Sequence, residues 1–300
     1  MGGNAREIRA RIKSVKNTEK ITRAMQMVAA AKVRRARERV EAAQPYAIAM
    51  DQVFRQVASQ VPPSEYRSPL LEKRRIRKVA LIVITSDRGL CGGYNANVLR
   101  MAMNRYRFWL DEHDEAKLIV VGTKGVQFFK DEQFDVVARL QNLPAIPTPH
   151  EAARIVKLAT DLYASGQADL VELIHTNFRS MVSLVPTDTV LLPASVPGRE
   201  QDPHSLDAYV PDGPPQAQYL YEPSPDVVLD AMVPKYLETL VYQALLESAA
   251  SELAAKMTAM SAASKNAKEL AAELTLVYNK ARQASITQEI LEVVGGAAAL

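Results

Sequence analysis

Residues 86–95 (SDRGLCGGYN) hold the densest group of side chains that could do chemistry. Gly89, Gly92 and Gly93 follow an apolar run and precede a helical pattern, the place where a nucleotide-binding fold keeps its phosphate loop. Glycines there would let backbone amides close on an anion. The spacing is G-x-x-G-G rather than G-x-G-x-x-G, no G-K-[ST] follows, and Thr123-Lys124-Gly125 is not a Walker loop either. The other reading, a tight strand-to-helix turn, fits that spacing better. Cys91 in the same loop would need an adjacent base to act as a thiolate nucleophile. His113, His150 and His175 are the candidates, and nothing in the spacing places one beside it. A small buried apolar residue is the simpler role for Cys91.

Metal chemistry has no stronger footing. The histidines at 113, 150, 175 and 204 lack H-x-x-x-H spacing or a paired carboxylate, so neither a metal nor any other cofactor is expected. The methionines at 25, 27, 257 and 260 fit helix seams and read as packing residues. One cysteine rules out an internal disulfide and a cysteine-only metal cage, which suits a reducing compartment. No apolar run reaches about eighteen residues, the length a membrane helix needs. The start, MGGNAREIRARIK, lacks the apolar core of a secretory signal.

The elements that would have to position these residues are most regular at the two ends of the chain. After Pro234 no proline occurs, and no glycine occurs until Gly295, so nothing in between must break a helix. Leu246, Ala250, Leu253, Met257, Met260, Ser264, Ala267, Ala271, Leu274, Tyr278, Ala281 and Ser285 recur in alternating steps of four and three. That 3.5-residue beat keeps one helix seam facing a partner helix. Sixty such residues would make a rod of roughly 90 Å at about 1.5 Å per residue, and a rod needs a partner. Residues 4–60 supply a second long helix, with neither glycine nor proline between Asn4 and Gln44. Its seam (Ile8, Ile12, Val15, Thr22, Ala29, Val33, Ala36, Val40, Ala43) is interrupted by Glu19 and Gln26. The parallel row Ile21, Met25, Val28 predicts a stutter, and Pro45 a kink or break; Pro62 and Pro63 end the element.

Between the ends the pattern changes. Val79–Thr85 (VALIVIT) and Lys117–Gly122 (KLIVVG) are continuous apolar runs, as in strands buried on both faces. Helices are predicted at 95–112, 124–131 and 150–165, further strands at 168–178 and 187–192, and a proline-marked loop around 144–149. Strands alternating with helices predict an α/β class, a small Rossmann-like domain with a largely parallel sheet, inserted between two terminal helices. The segments are 1–62 for the first helix, 76–195 for the α/β domain, 196–225 for a proline-rich connector and 226–300 for the second helix. The helices flank one insert, so they can return to each other as an antiparallel coiled coil.

Charge is uneven. Residues 1–44 hold twelve Lys and Arg against four acids (12 − 4 = +8), and residues 226–294 hold six against nine (6 − 9 = −3). Opposite signs suit pairing of the two ends, although a solvated helix face would look the same. The basic run Lys73–Lys78 (KRRIRK) could touch an acidic surface or phosphate, or close a domain entrance. The alternative function drawn from these charges is a basic coiled coil that binds nucleic acid or an acidic membrane surface.

Three stretches carry a family likeness: IRARIKSVKNTEKITRAMQMVAAAK, the loop SDRGLCGGYN, and YNKARQASITQEILEVVGGAAA. Together, and in this order across essentially the whole chain, they resemble the γ subunit of the rotary ATP synthases, bacterial type. The resemblance implies a non-catalytic central stalk in which the paired terminal helices enter a hexamer of α and β subunits. The α/β domain would then meet the ε subunit and the ring of c subunits, with no nucleic acid involved. Rotation would couple proton flow to conformational change in the catalytic β subunits. The implied place is peripheral, on the cytoplasmic face of a bacterial plasma membrane, or on a thylakoid membrane in a photosynthetic cell. By motif match, Arg282, Gln283, Thr287 and Glu289 stand where the stalk hydrogen-bonds loops of α and β. Met25 stands where it passes the β lever. Lys256 replaces the arginine many members carry, which keeps the charge and loses the planar fork.

Overall fold

The computed structural model describes residues 2–65, 68–112, 115–194 and 220–298. The chain opens with helix α1 (Gly2–Gln60) and two 3-10 turns (Pro63–Glu65 and Pro69–Leu71). Next come β1 (Lys78–Ile84), α2 (Tyr94–Glu112), β2 (Glu115–Val121), α3 (Thr123–Phe128) and β3 (Val136–Leu140). It finishes with α4 (Pro149–Ala164), β4 (Leu170–Phe178), β5 (Leu184–Leu192) and α5 (Pro225–Ala298). Two compact units result, one of Met1–Ala31 with Lys256–Leu300 and one of Lys32–Ala255. The start of α1 therefore groups with the end of α5, and its second half with the start of α5: the helices run antiparallel.

In the first unit the seam mixes small side chains with a few larger apolar ones. Thr22 and Ala29 on α1, and Met260, Ala267 and Ala271 on α5, are buried. Every predicted α5 seam position from Leu246 to Ser285 is buried or half-buried, while Leu270, Leu276 and Val277 between them are exposed. On α1 the stutter does not occur. Glu19 and Gln26 are half-buried in the uninterrupted seam, whereas Ile21 is 60% and Val28 56% exposed. A long polar stem can lie along a seam with its head group turned to water, so one polar residue does not displace the register. The ion pairs Arg34–Glu38, Arg37–Glu41 and Lys265–Glu269 run along single helices from i to i+4 and are exposed. Such pairs are worth about 0.3–0.5 kcal/mol each, so apolar burial along the seam contributes more than they do.

Pro45 does not end α1, which continues to Gln60. Proline removes the bond to the carbonyl four residues back. Its exposed position leaves that carbonyl to water, and the burial of Ala47 and Phe54 beyond it keeps the helix on course.

The second unit is a three-layer α/β arrangement around a five-stranded sheet of order β3-β2-β1-β4-β5. β1 pairs in parallel with β2 and β4, and β2 with β3; only β5 is antiparallel, paired with β4. Both faces of β1 are covered. Ala80, Ile82 and Ile84 join Phe54 of α1, Ile155 of α4 and Leu237 of α5, while Val79, Leu81 and Val83 join Val98 and Tyr106 of α2. That double coverage is why VALIVIT reads as an unbroken apolar run. β3, in a stretch where no element is predicted, is a short edge strand whose VVARL sequence carries an arginine and alternates half-buried with exposed residues before the buried Leu140. β5 begins three residues earlier than expected, because Leu184–Pro186 continue the antiparallel ladder with β4.

The halves of α1 and α5 in this unit are tied directly. The rings of Phe54 and Tyr236 stack at 4.1 Å. The Tyr236 hydroxyl donates to Asp51 Oδ1 at 3.0 Å, and Arg55 Nε donates to Asp51 Oδ2 at 2.7 Å. Burial, the nearby Asp51 charge and their hydrogen bond push the Tyr236 pKa up.

Candidate functional site

The loop after β1 lies at the carboxyl ends of the parallel strands, where an α/β sheet of this kind keeps its ligands. Its anion position is filled from within the chain. Asp87 Oδ1 accepts from Thr123 N at 2.8 Å, Thr123 Oγ1 at 2.6 Å and Asn142 N at 3.1 Å; Oδ2 accepts from Leu143 N at 2.9 Å. One carboxylate thus joins the loops that follow β1, β2 and β3. Burial pushes its pKa up, but the Thr123, Asn142 and Leu143 hydrogen bonds outweigh burial and hold it below the usual 3.8. A second anion at these amides would meet the Asp87 charge.

The rest of the loop is equally committed. Ser86 N and Oγ bond Asn95 Oδ1 at 3.0 and 3.1 Å, and Asn95 Nδ2 approaches Cys91 Sγ at 3.2 Å. Cys91 is buried, as expected for a packing role. His175 is engaged elsewhere, with Nε2 3.5 Å from Glu247 of α5, and His150 sits in the first turn of α4. His113 and His204 lie outside the described residues. Among the described residues no group of three His, Cys, Asp or Glu side chains converges as metal ligands.

An expected consequence concerns Asp87. Asp87→Asn would keep one acceptor oxygen but turn an amide nitrogen toward backbone donors, costing about 1–3 kcal/mol. Because the folded carboxyl titrates below its unfolded value, its contribution is present above about pH 4 and lost as pH falls through the folded pKa. Urea unfolding of both proteins from pH 7 to pH 3 checks this. The gap in midpoint should be largest at neutral pH and shrink on acidification.

Leu90 was not singled out from sequence. It is 63% exposed and has φ of 63°, a left-handed conformation unfavourable for a leucine. The sequence sign was its place between Gly89 and Cys91-Gly92, where the backbone must turn.

The residues named on the terminal helices do not converge on a cavity. Met25 and Lys256 are half-buried, while Arg282, Gln283 and Thr287 are exposed. Thr287 Oγ1 donates to the Gln283 carbonyl one turn back at 2.9 Å, a bond that an exposed threonine can exchange for another acceptor. The Glu289 side chain, like the connector at 196–219, lies outside the described residues. Ala29 is a seam residue, whereas Ala30 and Ala31 are exposed on the outer face. Arg282, Gln283 and Thr287 thus lie along one exposed stretch of α5.

The fold is that of a central stalk of a rotary ATP synthase. It matches the central stalk and c-ring structure of the Tetrahymena thermophila mitochondrial ATP synthase at a TM-score of 0.59 and 26% identity, covering 81% of this chain and 99% of that one. The match to the Euglena gracilis enzyme in rotational state 3 has a TM-score of 0.67 at 19% identity, covering 100% and 95% of the two chains. The chain belongs to the ATP synthase gamma-chain family, whose model, described as ATP synthase, matches residues 4–300. It is 44% identical over 297 residues to the ATP synthase gamma chain of Desulforamulus reducens, with 99% of each chain aligned. It is 45% identical over 312 residues to that of Nostoc punctiforme, again with 99% of each aligned. As a member of that family it is a non-catalytic subunit. Among the described residues, no helix is long and apolar enough to cross a membrane.

Proposed function

We propose that this chain is the rotor shaft of a proton-translocating ATP synthase, turning inside a hexamer of α and β subunits and carried by the c-subunit ring, with the ε subunit against its α/β unit. The observation that carries this reading is the seam along antiparallel α1 and α5, whose α5 positions from Met257 to Ser285 are all buried or half-buried. Paired helices resist bending better than one, which a torque-bearing element needs. The basic coiled coil that binds nucleic acid has no support among these relatives.

In this reading, Arg282, Gln283, Thr287 and Glu289 make polar contacts with α and β loops that form and break as the shaft turns. Exposed contacts of this type are worth about 1 kcal/mol or less, weak enough to be released at each step. Met25 flanks the seam where the shaft would pass the β lever, Lys256 keeps a cation where many members carry arginine, and Leu90 adds an apolar contact from the α/β unit. The complex sits on the cytoplasmic face of a bacterial plasma membrane or on a thylakoid membrane. Arg282→Ala is expected to slow multi-site ATP hydrolysis by the reassembled head by up to roughly fivefold, the equivalent of about 1 kcal/mol for one exposed charged contact. The thermal melt of the isolated chain should stay the same. Unchanged turnover would remove Arg282 from the contact set. Native mass spectrometry that found no complex with α and β would remove the shaft reading itself.

A further inference from the structure

We propose that internal water binds where α5 packs on β4, donating hydrogen bonds to His175 Nδ1 and Gln243 Oε1. His175 of β4 and Gln243 of α5 are each 7% exposed. Both face one carboxylate. Glu247 Oε1 accepts from Gln243 Nε2 at 2.9 Å, and its Oε2 lies 3.5 Å from His175 Nε2. The Glu247 side chain is itself 14% exposed, so the whole group is nearly withdrawn from solvent.

The carboxylate decides what the far ends of the two side chains can do. It accepts and does not donate, so the imidazole turns an N–H toward Glu247 and keeps its lone pair on Nδ1. The amide likewise gives its nitrogen to Glu247 and turns Oε1 away. Both outward atoms are therefore acceptors, both are buried, and neither has a hydrogen-bond partner among the described residues. A buried acceptor without a donor costs about 1–3 kcal/mol. Two of them beside one carboxylate call for a donor from outside the chain.

The donors that the protein holds nearby are spent. Thr187, opposite His175 on β5, gives its hydroxyl to the Val185 carbonyl at 3.2 Å. Ser251 Oγ donates to the Thr176 carbonyl at 3.4 Å, and Ser248 Oγ accepts from Thr176 N at 3.4 Å. These contacts are long for hydrogen bonds, so β4 and α5 stand slightly apart here, as polar surfaces bridged by water do. Water suits the site better than a cation. A cation gathers several oxygens around it, whereas the orphaned atoms are one ring nitrogen and one amide oxygen, which the two O–H groups of water satisfy. Leu237 and Val241, just before this point, belong to the apolar cluster that packs α5 on the sheet. The helix thus passes from an apolar grip to a joint of exchangeable hydrogen bonds.

The tests use the full chain at neutral pH. Nitrogen NMR of the imidazole is expected to show His175 with its proton on Nε2 and with Nδ1 accepting a hydrogen bond. Relaxation dispersion of the water oxygen counts long-lived internal waters, and His175→Phe/Gln243→Met should lose at least one of them. Thr22→Val should lose none, because the Thr22 hydroxyl already bonds the Thr18 and Glu19 carbonyls of its own helix. Thermal melts confirm that the variants fold, and Gln243→Met alone serves where the double variant does not. A proton on Nδ1, or equal water counts in the parent and the variant, would overturn the proposal. A melt raised by potassium over choline at equal ionic strength, in the parent and not in the variant, would overturn it in favour of a bound cation.

Discussion

Gly122→Ala is expected to destabilise the α/β unit by more than about 4 kcal/mol, the range of exceptional single substitutions. Gly122 follows β2 with φ of 94°, and a Cβ there would lie 2.2 Å from the Thr85 carbonyl oxygen and 2.6 Å from its carbon. Neither neighbour can yield. Thr85 directly follows the central strand β1, its N–H donates to the Val121 carbonyl at 2.8 Å, and Gly122 N donates to the Leu140 carbonyl at 2.8 Å. Relief of the clash would therefore separate β1 from β2 at the edge that holds the Asp87 hub. Gly166 provides the control, with φ of 70° and nothing within 4 Å of a built Cβ. Gly166→Ala should cost only what a left-handed backbone costs an alanine, about 1–2 kcal/mol. Urea unfolding of the two variants checks the difference. Equal losses would mean that the backbone at Thr85 moves more easily than its hydrogen bonds suggest.

The second large effect belongs to Arg105. On the α2 face of the sheet, Glu172 of β4 is 2% exposed, yet it carries a carboxylate. Arg105 of α2 meets it through both Nε and Nη2, with the Nε contact at 3.1 Å, and Trp109 Nε1 donates to it at 3.0 Å. Arg105 also reaches Asp188 of β5 at 3.2 Å, so one guanidinium joins α2 to two strands. Arg105→Ala would leave a buried carboxylate with only the indole as partner, at an expected cost of about 3–5 kcal/mol. Replacing the pair together, Arg105→Met with Glu172→Leu, should recover most of that loss, since an apolar pair of similar volume carries no desolvation cost. The double-mutant cycle is the check. If the double variant is as unstable as the single one, the shape of this corner matters more than its charge.

These predictions rest on parts of the molecule that differ in how far they are legible in sequence. The α5 seam is legible residue by residue, because helical periodicity is a local property and the pairing partner only has to present a matching row. The buried strands β1 and β2 are legible for the same reason, as is much of β4. On α1 the same rule is too strict. Glu19 and Gln26 look like interruptions, but the seam runs through them, because the neighbouring rows fix the register and a flexible polar stem adapts to it. Pro45 likewise does not end the helix. Its local penalty is one hydrogen bond, whereas the residues beyond it are held by Phe54 stacked on Tyr236, far along the chain.

What no local pattern contains is the partnership of distant side chains. Asp87 reads as an ordinary loop acid until Thr123, Asn142 and Leu143 are brought to it, and β3 becomes a strand only because β2 supplies an edge for it to pair with. Glu172 looks misplaced in LVELIHT until α2 lays Arg105 and Trp109 over it. The order of residue types along the chain determined which segments are helices, which strands are buried and which faces pair, since those depend on spacings of two, three and four. Folding in three dimensions decided which polar groups satisfy one another, because a hydrogen bond needs its two atoms within about 3 Å and nothing in the one-dimensional order measures that distance.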